Sequence, residues 1–249
     1  MIEEKKHSSF SASGSERWLN CPGSVSLCKG LPDISSKYAK EGTKAHELLE
    51  KELLYIKENG PKRKKFSGYP SDMVFYVNQT VNHVLEEWDS ENDELLIEQK
   101  IDLSHIHPDM FGTLDIGIVG VFDTLQIIDF KYGQGHVVQI YEETPNIRML
   151  NTQLVYYALG LAKKYDYNFS RVSLGISQPR AKHKGAIHRH ELFSMKEILK
   201  YEYIFLKGVE RCLKPNPKYY KGPWCNWCKG RDICPLYVEK TIERVFSDL

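Results

Sequence analysis

No stretch of this chain approaches the ~18 consecutive apolar residues that a membrane-spanning helix needs. The N-terminal segment MIEEKKHSSF also lacks the apolar centre of a secretory signal peptide. Both absences predict a cytoplasmic protein without a membrane partner. There is no internal repeat and no low-complexity segment. Neither sign of charge prevails: 34 Lys and Arg stand against 33 Asp and Glu, leaving +1. Net charge therefore neither demands nor excludes a polyanionic partner, and only local patches bear on one. Cysteine is scarce, with six residues. In a reducing compartment these do not make a disulfide framework, so those that cluster read as ligands of a metal or a metal cluster.

What is present suffices for a core. At 249 residues and 41% apolar content the chain is long and hydrophobic enough for one large domain, with or without an appendage, and is not a disordered protein. SASGSERWLNCPGS opens with small polar residues that suit turns and a cap, then enters a short helix near residues 17–20. Ala45, Leu48, Leu49 and Leu53 recur at helical spacing, and Gly60-Pro61 is a stop signal. A second helix fits 73–88. Strands follow at 94–103, 110–120 and 123–133, the last two forming a hairpin about a turn at 120–123. A helix at 151–165, a strand at 171–179 and a long helix from Ser194 precede a cysteine-rich tail. The order predicts a mixed α/β or α+β fold, a sheet with helices packed on it.

The third strand reads IIDFKYGQG, an apolar run interrupted by charge. Residues two apart on a strand point the same way, so Asp129 and Lys131 share a face while Ile128 and Phe130 take the other. If the hairpin pairs antiparallel about residue 121 or 122, Asp115 falls opposite or nearly opposite Asp129. Two such carboxylates can share a hard divalent cation, Mg²⁺ or Mn²⁺, with water and phosphate oxygens completing the shell. His46, in GTKAHELLE, is a further ligand within reach only if the fold brings its helix there. Gln153 and Tyr157, four residues apart, share a helix face. Glu98, in LIEQKI, reads as an exposed strand glutamate rather than an additional acid of this group. Two basic runs, PKRKK at 61–65 and RAKHKGAIHRH at 180–190, read as solvated loops or as phosphate contacts.

The tail WCNWCKGRDICP spaces Cys225, Cys228 and Cys234 as C-x2-C-x5-C. Three thiolates this close are a ligand set in need of a fourth. Cys21 and Cys28 are the upstream candidates, and Cys21 is preferred because it precedes a proline, as Cys234 does. Cys28 and Cys212 are left as ordinary thiols. Zn²⁺ suits four thiolates, and a cysteine followed by proline also recurs in ferredoxin-type cluster sites.

A helix with GTKAH, a strand with GTLD, a strand with DFK and a helix with Q-x-x-x-Y together resemble the RecB-like branch of the PD-(D/E)XK nuclease superfamily, over about residues 11–236. SASGSERWLNCPGS followed by GTKAH is similar to phage and prophage proteins of the DUF2800 type within that branch. The resemblance implies a single nuclease domain over 1–249, with a restriction-endonuclease-like mixed sheet flanked by helices. It implies a metal-dependent DNA nuclease, an exonuclease in the first instance, in phage recombination, replication or repair within a bacterial cytoplasm. The metal would fall to His46, Asp115, Asp129 and the backbone carbonyl of Phe130. Lys131 would position or activate the attacking water, with Gln153 and Tyr157 beside it. One distant cysteine plus three at the C-terminus is similar to the iron–sulfur staple of AddB-type and CRISPR-adaptation nucleases. A 4Fe–4S cluster on Cys21, Cys225, Cys228 and Cys234 is therefore expected ahead of zinc, formed by segments 11–30 and 222–238. Arg180, Lys182 and Lys184 would line the DNA path. This chain departs from the pattern after KYGQG, where HVVQIYEETPNIRML intervenes before the Gln153 helix. The competing expectation is a non-catalytic nucleic-acid-binding module that keeps the fold; a redox protein using the cluster ranks last.

Overall fold

In the computed structural model, residues 8–32, 36–120, 123–144, 147–181 and 186–238 are described. In chain order they form α1 (Ser15–Asn20), α2 (Gly23–Cys28), α3 (Lys37–Asn59), α4 (Ser71–Glu87), β1 (Glu94–Asp102), β2 (Phe111–Gly120), β3 (Thr124–Phe130), β4 (Tyr141–Thr144), β5 (Ile147–Leu150), α5 (Thr152–Lys164), β6 (Arg171–Ser177), β7 (His188–Ser194) and α6 (Met195–Cys212). Two 3₁₀ turns, Pro223–Trp227 and Arg231–Ile233, carry the tail. This is a mixed α+β fold. Among the described residues, no helix is long and apolar enough to cross a membrane.

The chain divides into two compact units. The larger holds residues 35–102 and 112–199. Its sheet runs β1-β2-β3-β6-β7, with β2–β3 and β6–β7 antiparallel and β3–β6 parallel. One face carries α3 and α4: Leu48, Leu53, Ile56, Val77 and Val81 pack with Ile116, Ile118, Ile128 and Phe130 in one buried cluster. Each such side chain contributes about 1.5–3 kcal/mol by leaving water. Ser36 caps α3 by accepting a hydrogen bond from the Ala39 amide at 3.1 Å, and Gly60 ends it at φ 75°. The other face takes α5, which approaches closely at Gly160. A Cβ there would come within 2.2 Å of Ile101.

The described part of the segment 136–151, between KYGQG and α5, is not structureless. It contains the β4–β5 hairpin, and the buried Gln178 ties its first part down by donating to the carbonyls of Gly133 and His136 and accepting from the Val138 amide.

The smaller unit comprises residues 1–34, 103–111 and 200–249. Segments 11–30 and 222–238 both belong to it. Trp18, fully buried, meets Phe10 edge-on at 5.5 Å and Phe205 at 5.7 Å. The Gly23 amide donates to the Lys218 carbonyl at 2.9 Å, so the N-terminal helices and the segment after α6 are stitched through backbone.

Candidate functional site

The β2–β3 register pairs Ile116 with Ile128, and one further step sets Asp115 opposite Asp129. Asp115 is fixed from the neighbouring strand: its Oδ2 accepts the Phe130 amide hydrogen at 2.7 Å. Phe130 thus engages the site through its N–H, the group adjacent to the carbonyl expected as a ligand. From α3, His46 Nδ1 lies 3.1 Å from Asp115 Oδ1, its ring edge-on to Phe130 at 5.1 Å. Burial opposes protonation of His46, yet the hydrogen bond with Asp115 and the charges of Asp115, Asp129 and Glu98 raise its pKa.

Asp129 is 3% exposed and its carboxylate is spoken for on both oxygens. Lys131 Nζ sits 2.9 Å from Oδ2, and Gln153 Nε2 donates to Oδ1 at 3.0 Å. Gln153 is the hub, for its Oε1 accepts from Lys131 Nζ at 2.9 Å and its Nε2 also reaches the Tyr157 hydroxyl at 3.2 Å. Burial raises the pKa of Asp129, against the pull of Lys131. Burial, then the charges of Asp129 and Asp115, push the Tyr157 phenol far above its usual value and keep it neutral.

Gln153 is presented by the cap of α5. Asn151 Oδ1 accepts the amides of Gln153 and Leu154, while Asn151 Nδ2 donates to the Gln139 carbonyl and its own amide donates to that of Ile140. The inserted hairpin therefore delivers the helix in place.

Glu98 is a correction. It is half-buried, not an exposed strand glutamate, and with His46 and Asp115 it offers ligand atoms all within 4.8 Å of one another. Its φ of 47° breaks the alternation of β1 and re-aims the side chain. No glycine or asparagine marks that position, so nothing local announces it. Burial first, then Asp115, raise its pKa to about 7. Asp129 does not join this triplet at that distance. A donor set of two carboxylates and an imidazole, with Asp129 alongside, fits a divalent cation.

Arg180 is tightly held. Its guanidinium lies 3.0 Å from Glu41 and 4.2 Å over the Tyr132 ring, with the side chain 13% exposed. Lys182 and Lys184 lie outside the described residues.

In the smaller unit, Cys21, Cys225, Cys228 and Cys234 line one hollow together with Tyr219, Trp224 and Tyr237. The Tyr220 amide donates to Cys21 Sγ at 3.4 Å. Burial, opposed by that hydrogen bond, raises the Cys21 pKa, and the charges of Cys225 and Cys234 add to the rise. No three of the cysteine sulfurs lie within 4.8 Å of one another. Cys28 Sγ is 3.7 Å from Cys228 Sγ, so it borders the set from which the sequence separated it. Cys212 is apart, buried, donating to the Trp18 carbonyl, its thiol pushed up to about 12 by burial.

The family described as "Protein of unknown function (DUF2800)" matches residues 7–249. Among solved structures, the chain is similar to one titled "Crystal structure of SSO0001", at 12% identity and a TM-score of 0.36, over 95% of this chain and 89% of that one.

Proposed function

We propose that this chain, which belongs to the DUF2800 family, is a divalent-metal-dependent deoxyribonuclease, an exonuclease serving phage recombination, replication or repair. The observation that carries the reading is the convergence of two groups at neighbouring positions of β2 and β3. The His46–Glu98–Asp115 triplet offers the cation its donors, and the Asp129–Lys131–Gln153–Tyr157 network stands beside it. A binding module has no use for a buried carboxylate braced by lysine and glutamine, because desolvating that pair is costly.

A cation held there, Mg²⁺ or Mn²⁺, would neutralise the charge of a phosphodiester and favour attack by water. The protein's own contribution is positional. Asp115 is oriented by the Phe130 amide, and Asp129 keeps the Lys131 ammonium in place. Gln153 Oε1 shares that ammonium, so Lys131, whose side chain is 26% exposed, is held in place yet open to a substrate oxygen or water. Glu98, half-buried beside His46 and Asp115, adds a second carboxylate to the donors offered to that cation.

The four cysteines around one hollow support a 4Fe–4S cluster as the resident group of the smaller unit. Zinc, which four thiolates also suit, is the alternative occupant.

The test is mutational. Asp115→Ala and Asp129→Ala are each expected to abolish cleavage of DNA while circular dichroism stays that of wild type. Wild-type cleavage by either variant would overturn the assignment.

A further inference from the structure

A second group of donors lies in the larger unit, outside the nuclease site and owed nothing by it. His83 and Glu87 stand one turn apart near the end of α4, and His190 projects from β7, the last strand of the sheet. One ligand atom from each lies within 4.8 Å of the other two. His83 and Glu87 are half-buried and His190 is exposed, so an ion can reach them.

Their donor atoms are uncommitted. No described residue hydrogen-bonds to the imidazole of His83 or His190 or to the Glu87 carboxylate, whereas the adjacent His188 is fully engaged. Its Nδ1 lies 2.9 Å from the Ser177 hydroxyl, which contacts Thr80 of α4 at 2.7 Å, and it bonds the Gln79 backbone. The His188 ring stacks on His83 at 4.2 Å and 13°. Stacking covers a face of His83 and leaves its in-plane nitrogens free, so it orients a ligand without blocking it.

We propose that His83, Glu87 and His190 form a binding site for a borderline divalent transition ion of the Zn²⁺ class, which fastens the last turn of α4 to the edge strand β7. Two imidazoles and a carboxylate suit Zn²⁺ and not Mg²⁺, which takes oxygen donors. Bonds of about 2.0–2.2 Å require the three donors to draw together, a movement that side-chain rotation supplies. The benefit falls on β7, whose outer edge has no strand partner among the described residues and which such a clamp would hold against slippage.

The experiment titrates Zn²⁺ into full-length protein carrying Asp115→Asn, which weakens the neighbouring candidate centre, and follows histidine ring resonances by NMR alongside calorimetry. The expected result is shifted His83 and His190 ring nitrogens and one bound ion that disappears on adding His190→Ala. Because His190 is exposed, that variant is expected to fold; Glu87→Gln repeats the test without touching an imidazole and should weaken binding at least tenfold. Zn²⁺ taken up only by the cysteines moves neither ring and overturns the proposal, as does unchanged stoichiometry in both variants.

Discussion

Glu98 keeps its proton into the neutral range because burial, then Asp115, raise its pKa from 4.5 to about 7. A carboxyl raised in the folded chain holds its proton more tightly there than when unfolded. Its stabilising effect is present below about pH 4.5 and is lost as pH rises through about 7. Without divalent ions the protein should therefore lose stability over that window, and Glu98→Gln should flatten the loss. Urea midpoints measured across the window check this, and an identical slope in the variant would contradict it. Lys131→Ala should retain Mn²⁺ binding yet lose roughly 10²–10³-fold in rate, read by calorimetry beside single-turnover cleavage. The facing of Asp115 and Asp129 was legible because two alternating strands about one turn leave little choice of register. The place of Glu98 was not, since it depends on a left-handed backbone conformation that a glutamate does not advertise. Arg180 is a similar case, for its ion pair with Glu41 and its stacking on Tyr132 depend on contacts distant in sequence.

The elements matter most where they deliver α5. Its start is fixed by Asn151, whose side chain accepts two amides and donates to the Gln139 carbonyl. Asn151→Ala should cost about 1–2 kcal/mol and loosen Gln153, lowering cleavage more than the loss of stability explains; a rate measured well below the melting point separates the two. The middle of α5 depends on Gly160, where a methyl group would strike Ile101. Gly160→Ala gains helix propensity of about 1 kcal/mol but overpacks the helix against β1, so a net loss of about 1–2 kcal/mol is expected. A higher denaturant midpoint would show that the contact yields. Helices α3 to α6 and strands β1, β2, β3 and β6 were legible from periodicity and stop signals to within a few residues. The β4–β5 pair was not, because YEETPNIRML offers two short, mostly polar runs with no clear alternation, while the segment before it is held by Gln178 and Asn151.

Across the whole molecule, two kinds of chemistry occupy two compact units, carboxylates in one and thiols in the other. Anaerobically purified protein should be brown, and the colour should need Cys21, Cys225, Cys228 and Cys234 but survive Cys212→Ser. Colourless protein with stoichiometric zinc in the thiols would replace the cluster. The spacing of the last three cysteines made them legible as a set; the closeness of Cys28 to Cys228 emerged only with the packing of α2. With a net charge of +1, DNA affinity must rest on local cations, and each phosphate contact removed should reduce the slope of log affinity against log salt by about 0.7–0.9. Lys182→Ala with Lys184→Ala is expected to show that reduction, leaving the cluster intact. The most direct test of the account is incubation of the protein with end-labelled single- and double-stranded DNA, with Mg²⁺, with Mn²⁺ and with neither. Shortening of the label-bearing strand by wild type only when a divalent ion is present, and none by Asp115→Ala, is the predicted result; DNA bound but left intact under every condition would contradict it.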